Sequence, residues 1–174
     1  MTSRRLSTYG STPRSSASAF DLALLRFLRT RWHTPGAEKA VARFSRLGEH
    51  GLVWYALALA GAVLDPPRRP LYLRAGGVTA GAFLANQAIK LAVRRPRPEL
   101  EGLPALVETM SRRSYPSAHA STSFAAAGAL PLPAAPLYAA ATAMALSRVY
   151  LGVHYPSDSA AGAALGGALA ALAP

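Results

Sequence analysis

The sequence predicts an all-α fold, a polytopic membrane helical bundle of about five transmembrane helices preceded by amphipathic helices at the membrane interface. Hydrophobic residues make up 51% of the 174 positions, yet the formal net charge is +11. The charges are unevenly spread, because four stretches contain no Asp, Glu, Lys or Arg, namely 51–64, 75–89, 114–147 and 159–174. Charges confined to the ends of apolar segments are typical of membrane proteins.

The same composition argues against other classes of protein. A soluble nucleic-acid binder interleaves basic residues with aromatic residues that stack on bases, whereas the aromatic residues here lie mostly in or beside apolar stretches. We therefore predict no nucleic-acid partner. The alternative is a soluble helical domain with an Ala-rich core. If the third uncharged stretch is counted as two, the length of each stretch is near or below the roughly 17 residues that a spanning helix needs. The chain has no Cys, so neither disulfides nor thiolate metal sites are expected.

The chain begins with a polar, basic stretch. Residues 1–18 hold too little apolar surface to offset the entropy of ordering, so we predict a disordered tail there and a single membrane-embedded domain over residues 19–174. No apolar secretory signal follows the first basic residues, and insertion is expected to depend on internal segments. Within 20–31 and 37–47, apolar residues recur at helical spacing among basic residues, which is typical of helices on a membrane surface.

Five candidate spans follow, at roughly 48–65, 71–93, 117–131, 135–150 and 157–173. Prolines at 66–70 separate the first span from the second, and prolines at 131–136 separate the third from the fourth, which predicts short turns between antiparallel neighbours. Residues 94–116 form a long loop, a feature that points to a functional site in a compact domain. The G-x-x-x-G spacings at 77–81 and 162–166 predict close packing inside the bundle in preference to dimerisation.

The conspicuous polar residues fall on one predicted face of the membrane. In a five-span count, the ends of the second and fourth spans and the starts of the third and fifth lie on that face. Lys90 and Arg97 are seven residues apart, so we expect them on one helix face before Pro96 and Pro98 end the helix. Ser117 opens the third span as an N-cap, where free backbone N–H groups form an anion site.

Two histidines belong to the same clusters. His119, two residues after Ser117, can gain or lose a proton near neutral pH. His154 precedes Asp158 by four residues, and a carboxylate at that spacing can hold an imidazole in one tautomer, as a nucleophile or base requires. With Arg148 nearby, the clusters supply cations for phosphoryl oxygens, a nucleophile and an acid. Together these groups predict phosphoryl transfer.

At these motifs the sequence resembles the type 2 phosphatidic acid phosphatase superfamily. The pattern K-x6-R-P is matched by Lys90, Arg97 and Pro98. The pattern P-S-G-H is matched by Pro116, Ser117, Ala118 and His119, with Ala118 in place of glycine. The pattern S-R-x5-H-x3-D is matched by Ser147, Arg148, His154 and Asp158. The resemblance implies a phosphohydrolase that needs no metal or other cofactor and that works through a phosphohistidine.

The resemblance also implies a role for each motif residue. His154 would attack phosphorus, Asp158 would orient His154, and His119 would protonate the leaving oxygen. The phosphoryl oxygens would be held by Lys90, Arg97, Ser117, Ala118 and Arg148. In addition, Glu49 and His50 at the start of the first span are predicted to contact the head group of the substrate.

The apolar spans favour a lipid phosphate that enters from the bilayer. Short chains of this kind resemble bacterial phosphatases acting on polyprenyl phosphates. The alternatives are undecaprenyl diphosphate or phosphatidylglycerophosphate as substrate or, in another class, a non-catalytic lipid-binding membrane protein. All but three of the 19 Lys and Arg residues lie on the face of the motifs, which predicts a cytoplasmic site in a multi-pass protein of the bacterial inner membrane. That orientation fits the biosynthesis of lipid-linked sugars for the cell wall.

Overall fold

The computed structural model describes residues 18–173 as a bundle of helices. In chain order these are α1 (Ala19–Arg29), α2 (Pro35–Leu47), α3 (Leu52–Leu64), α4 (Arg69–Val93), α5 (Ala118–Ala129), α6 (Ala134–Tyr150) and α7 (Pro156–Leu172). Short 3-10 turns at Glu49–Gly51 and Pro66–Arg68 lead into α3 and α4. The all-α prediction is confirmed, and each segment predicted to be helical matches one helix to within a few residues.

The two N-terminal helices begin at side-chain caps. Ser18 Oγ accepts a hydrogen bond from the backbone N–H of Asp21 at 3.0 Å, and Thr34 Oγ1 accepts one from Ala37 at 3.2 Å. Such caps satisfy N–H groups that have no partner within the helix. Both helices pack against α6, and α1 also contacts α7. Apart from Ser18, the tail predicted over 1–18 lies outside the described residues.

Helix α5 lies at the centre of the bundle. Nine of its 12 residues are buried, and it packs mainly against α7, with further contacts to α4 and α6. Glycines on α7 permit the close approach, because a Cβ on Gly162 would lie 2.5 Å from Ser117 O and one on Gly166 would overlap Ser121 O. The predicted internal packing at 162–166 is therefore confirmed.

The other glycine spacing has a different environment. A Cβ added to Gly77 or Gly81 would have open space around it. Beyond the adjacent residues and the backbone of α4 itself, no described atom would lie within 4 Å. Both glycines are exposed on the outer side of α4. The prediction of close internal packing at 77–81 is wrong, because the buried side of α4 is formed by other residues, among them Ala75, Thr79 and Ala82.

The apolar core lies at the end of the bundle away from the polar motifs. It is formed by residues from the second half of α5, the first halves of α4 and α6, and much of α3. Trp54 is 3% exposed there, and its indole Nε1 donates a hydrogen bond to Ser123 Oγ at 2.8 Å. A buried Trp satisfied in this way contributes apolar area without leaving a polar group unpaired.

Helix α4 ends at Val93, where the predicted span ends, and does not reach Arg97. Arg94 adopts a left-handed conformation with φ 54° and donates its backbone N–H to Lys90 O at 3.2 Å, after which the chain leaves the helix. The following proline disfavours helical geometry in the residue before it. The prediction that Lys90 and Arg97 share a helix face is wrong, since Arg97 lies in the loop. Pro70, by contrast, lies in the first turn of α4, where no N–H donor is required.

The lengths of the helices bear on the membrane prediction. Within residues 18–173, no single helix combines the length and hydropathy expected of a membrane span. Taken together, the stretches Pro35–Leu47 and Glu49–Leu64 have the length and hydropathy of a span, but they are bent by 42° relative to each other. The count of about five transmembrane helices therefore stays a prediction.

Candidate active site

The motif-bearing ends of the helices surround a cavity of about 250 Å³. Eight of the ten predicted site residues line it, namely Glu49, His50, Lys90, Arg97, Ala118, His119, Arg148 and His154. The other two lie just behind the wall. Ser117 is fully buried and caps α5 by accepting a hydrogen bond from the N–H of Ala120 at 3.5 Å. Asp158 is fully buried on the far side of His154.

His154 lies in the loop between α6 and α7 and is 2% exposed. Arg97 Nη1 donates a hydrogen bond to His154 Nε2 at 3.2 Å. Because a guanidinium only donates, Nε2 carries a lone pair, and the ring proton of the neutral imidazole is on Nδ1. Nδ1 lies 3.4 Å from Asp158 Oδ2, beyond the range of a well-formed hydrogen bond. Burial, reinforced by the charges of Arg97 and Arg148, holds the pKa of His154 well below its usual range, so the ring is neutral at pH 7.

Both carboxylate oxygens of Asp158 are held in place. Oδ2 accepts a hydrogen bond from the backbone N–H of Tyr155 at 2.9 Å, a contact that also caps the start of α7. Oδ1 accepts one from Arg95 Nη1 at 2.7 Å. The carboxylate next to His154 is therefore fixed from two sides, by its own helix and by the loop after α4.

Arg95 was not among the predicted site residues. Its second nitrogen, Nη2, donates to Asp21 Oδ2 at 2.8 Å, and its guanidinium lies 4.2 Å from the centre of the Tyr155 ring. Asp21 also accepts hydrogen bonds from the backbone N–H and the hydroxyl of Ser157. Burial alone would raise the pKa of Asp21, but the hydrogen bonds from Ser157 and Arg95 outweigh it and lower that pKa. The one sequence signal was a single acid in an otherwise basic helix.

A second group missed from sequence lies on α2. Ser45 is 1% exposed, and its carbonyl accepts a hydrogen bond from His119 Nε2 at 3.1 Å. A carbonyl only accepts, so Nε2 carries a hydrogen and Nδ1 is the nitrogen left for another partner. The hydroxyl of Ser45 accepts a hydrogen bond from Arg148 Nη1 at 2.6 Å. Helix α2 therefore orients two cavity residues, whereas its pattern predicted only a surface helix.

The cations of the cavity come from three different segments. Arg97 reaches it from the loop, where its Nε and Nη1 donate to the carbonyls of Ser111 and Val153 at 2.7 and 2.6 Å. Lys90 on α4 and Arg148 on α6 are 6% and 7% exposed. Like charges gathered in a buried wall repel one another, so binding an anion among them is favourable.

The mouth of the cavity combines charged and apolar groups. Glu49 and His50 lie in the 3-10 turn before α3, and His50 has a left-handed φ of 53° that is uncommon outside glycine. The ring of His50 meets that of Phe83 edge to face, with centres 5.8 Å apart. Met110 also lines the cavity and is 90% exposed. An apolar wall and a carboxylate thus lie next to the cationic interior.

The chain is similar in sequence to known proteins. The family model described as the PAP2 superfamily matches residues 71–174. Decaprenylphosphoryl-5-phosphoribose phosphatase of Mycobacterium tuberculosis is 44% identical over 147 residues, which is 79% of this chain and 79% of that protein. The protein of the same name from Mycolicibacterium smegmatis is 45% identical over 135 residues, covering 74% of this chain and 72% of its own.

Two solved structures have the same fold. LpxE of Aquifex aeolicus superposes with a TM-score of 0.72 at 23% identity, covering 93% of this chain and 98% of its own. A transmembrane PAP2 type phosphatidylglycerolphosphate phosphatase from Bacillus subtilis superposes with a TM-score of 0.72 at 24% identity, covering 89% of this chain and 83% of its own.

Proposed function

The chain belongs to the PAP2 superfamily, and from this premise we propose that it is a membrane phosphatase of polyprenyl-linked sugar phosphates, with decaprenylphosphoryl-5-phosphoribose as its substrate. The observation that carries the proposal is a buried imidazole, His154, whose unprotonated nitrogen faces the cations of the cavity. The choice of substrate is supported by the relatives of that name at 44% identity over most of the chain.

In the first half of the proposed reaction, His154 Nε2 attacks phosphorus and forms a P–N bond. The phosphoryl group binds as its monoanion and gives its proton to His119 Nδ1. The P–O bond to the sugar then breaks, and its electron pair goes to the leaving oxygen, which takes that proton from His119 Nδ1. Arg97 exchanges its hydrogen bond with Nε2 for one with a phosphoryl oxygen, while Lys90 and Arg148 bind the others. Cations placed in advance around the phosphoryl group stabilise the charge of the transition state.

In the second half, water attacks the phosphorus of the phosphohistidine. His119, now neutral, accepts a proton from that water, the P–N bond breaks, and its electron pair returns to His154 Nε2. Inorganic phosphate leaves as its monoanion, carrying away the proton that His119 took from water, and both histidines are back in their starting states. Asp158 stabilises the positive charge that the His154 ring carries while it is phosphorylated.

Exposed apolar side chains support contact with lipid. Leu59 and Val63 on α3 are 64% and 63% exposed, and Leu73, Leu84 and Leu91 on α4 are each more than half exposed. Apolar surface of this extent is typical of membrane or protein contacts. We propose that residues 19–174 form one domain in the bacterial inner membrane, with the cavity open to the cytoplasmic side, as the charge asymmetry predicts.

Phosphate release from purified protein tests the proposal. We expect turnover of decaprenylphosphoryl-5-phosphoribose in the presence of a chelator, and a loss of at least about 1,000-fold in His154→Asn, because the nucleophile is removed. Undecaprenyl diphosphate and phosphatidylglycerophosphate serve as competing substrates. If the protein prefers either of these, that lipid replaces the proposed substrate. A requirement for an added divalent ion would contradict the mechanism. If no lipid phosphate is turned over, a non-catalytic lipid-binding protein is favoured.

A further inference from the structure

A buried ion triad lies directly behind His154. Arg95 donates through Nη1 to Asp158 Oδ1 at 2.7 Å and through Nη2 to Asp21 Oδ2 at 2.8 Å. The side chains of Arg95, Asp21 and Asp158 are 8%, 4% and 0% exposed. Ser157 reinforces the triad, because its hydroxyl accepts from Arg95 and donates to Asp21. The triad thus joins α1, the loop after α4 and the start of α7.

The geometry of the triad suits orientation better than stabilisation. Buried ion pairs add little net stability, because the desolvation of their charges offsets their attraction. Their directional hydrogen bonds, however, restrict where a carboxylate can lie. Arg95 holds Oδ1 of Asp158, which leaves Oδ2 as the oxygen 3.4 Å from His154 Nδ1. Rotation of the carboxylate away from His154 would break the bond to Arg95.

We propose that Arg95 and Asp21 are positioning residues of the phosphatase and act on His154 through Asp158. Arg95 sets the direction of the Asp158 carboxylate, and Asp21 fixes the guanidinium of Arg95 by binding its second nitrogen. Neither Arg95 nor Asp21 lines the catalytic cavity, so both work without touching the substrate. The inference rests on the proposed function, in which His154 is the nucleophile.

The proposal gives the first helix a part in the reaction. Asp21 lies on α1, outside residues 71–174 that match the family model. Helix α1 contacts α7 close to Asp158, and the backbone N–H of Ser157 donates to Asp21 Oδ1 at 2.9 Å. A shift of α1 would therefore be transmitted to Asp158 through the hydrogen bonds that Asp21 makes with Arg95 and Ser157.

Kinetics of Asp21→Asn and Arg95→Lys on lipid substrate test the proposal. Asparagine keeps the shape of Asp21 but removes its charge, and lysine keeps the charge of Arg95 but lacks the planar guanidinium that holds the two carboxylates in fixed directions. We expect kcat to fall about 10-fold in Asp21→Asn and about 100-fold in Arg95→Lys, with KM within about 2-fold, because the substrate contacts are retained. Asp65→Asn is the matched control, since its carboxylate pairs with Arg68 on the exposed surface, and its kcat should be unchanged.

A double-mutant cycle distinguishes positioning from general support of the fold. In an Asp158→Asn background, adding Arg95→Lys should lower kcat by less than about 3-fold, because the residue through which Arg95 acts is already lost. If the two losses multiply in full, or if the single variants keep kcat within about 2-fold of the wild type, the proposal is overturned. Should Arg95→Lys fail to fold, Ser157→Ala takes its place, with an expected loss of about 5-fold in kcat.

The turnover of wild-type protein and of His154→Asn shows whether a failure belongs to this inference or to the proposed function. If His154→Asn retains its turnover, the proposed mechanism fails and the inference fails with it. If His154→Asn is inactive while Asp21→Asn and Arg95→Lys match the wild type, only the inference fails.

Discussion

The tautomer of His154 follows from the chemistry of one neighbour. Arg97 can only donate, so the nitrogen that it contacts, Nε2, must accept. The same nitrogen faces the cavity side of the ring, and Nδ1 faces Asp158. The site therefore holds the imidazole in the form that a nucleophile requires, with Arg97 bound to its lone pair.

Nitrogen-15 NMR of histidine-labelled protein checks this assignment. We expect the signal of His154, identified by its absence in His154→Asn, to show an Nδ1–H tautomer at pH 7. The ring should stay neutral as the pH falls through 6.5, because burial and nearby cations keep its pKa below that value. A midpoint at or above 6.5, or a proton on Nε2, would contradict the structure.

A substitution at Ser45 distinguishes the contact of α2 with Arg148 from its contact with His119. Ser45→Ala removes the hydroxyl that binds Arg148 but keeps the carbonyl that binds His119. We expect kcat/KM to fall about 10-fold, because one hydrogen bond to a charged group is lost while the acid stays in place. Thr30→Ala, which removes an exposed hydroxyl bonded to its own helix, is the control. A change of less than about 2-fold in Ser45→Ala would show that Arg148 needs no such anchor.

Sequence reasoning found the motif residues of the site but not Asp21, Arg95 and Ser45, which hold them in place. Motif spacing marked His154 and Asp158 because a histidine and an acid four residues apart stand out in an apolar chain. Arg95 and Ser45 gave no such signal, since their partners lie far away in the chain: Asp21 is 74 residues from Arg95, and Arg148 is 103 residues from Ser45. Contacts of that range depend on how whole helices pack.

At the level of helices, the close contact between α5 and α7 depends on missing side chains. Gly166→Ala would place a Cβ into the backbone of α5 at Ser121, so we expect the free energy of unfolding to fall by about 2 kcal/mol. Gly167, one residue on, has open space around its Cβ position, and Gly167→Ala should be neutral or stabilising by up to about 1 kcal/mol. Unfolding in detergent micelles measures both, and equal effects would contradict the packing.

The limits of the helices were predictable where proline or charge marks them. The α3–α4 and α5–α6 turns lie at the predicted proline clusters, because proline cannot continue a helix from inside it. The end of α4 at Val93 was also predicted, but the expectation that Arg97 shares a helix face with Lys90 failed, because Arg94 takes a left-handed conformation that leaves little trace in composition. The same limit explains the G-x-x-x-G spacings, which are identical in sequence although only 162–166 faces another helix.

For the whole molecule, the distribution of charge predicts the orientation in the membrane. Most basic residues lie on the cavity side, and basic residues favour the cytoplasmic face. With five spans, the C-terminus is on the opposite face. A reporter fused after Pro174 should therefore show no cytoplasmic activity, and one fused before α1 should show strong activity. Strong cytoplasmic activity of the C-terminal fusion would contradict the proposed orientation or the number of spans.

The contact between α1 and the start of α7 has a consequence for how the enzyme is made. Asp21 leaves the ribosome long before Ser157, which lies 136 residues later in the chain. His154 thus gains the neighbouring carboxylate of Asp158, and α7 its bonds to Asp21, only after α7 has been synthesised and has met α1. In a nascent chain that stalls before α7, every residue that lines the cavity has been made, but the carboxylate that lies behind His154 has not.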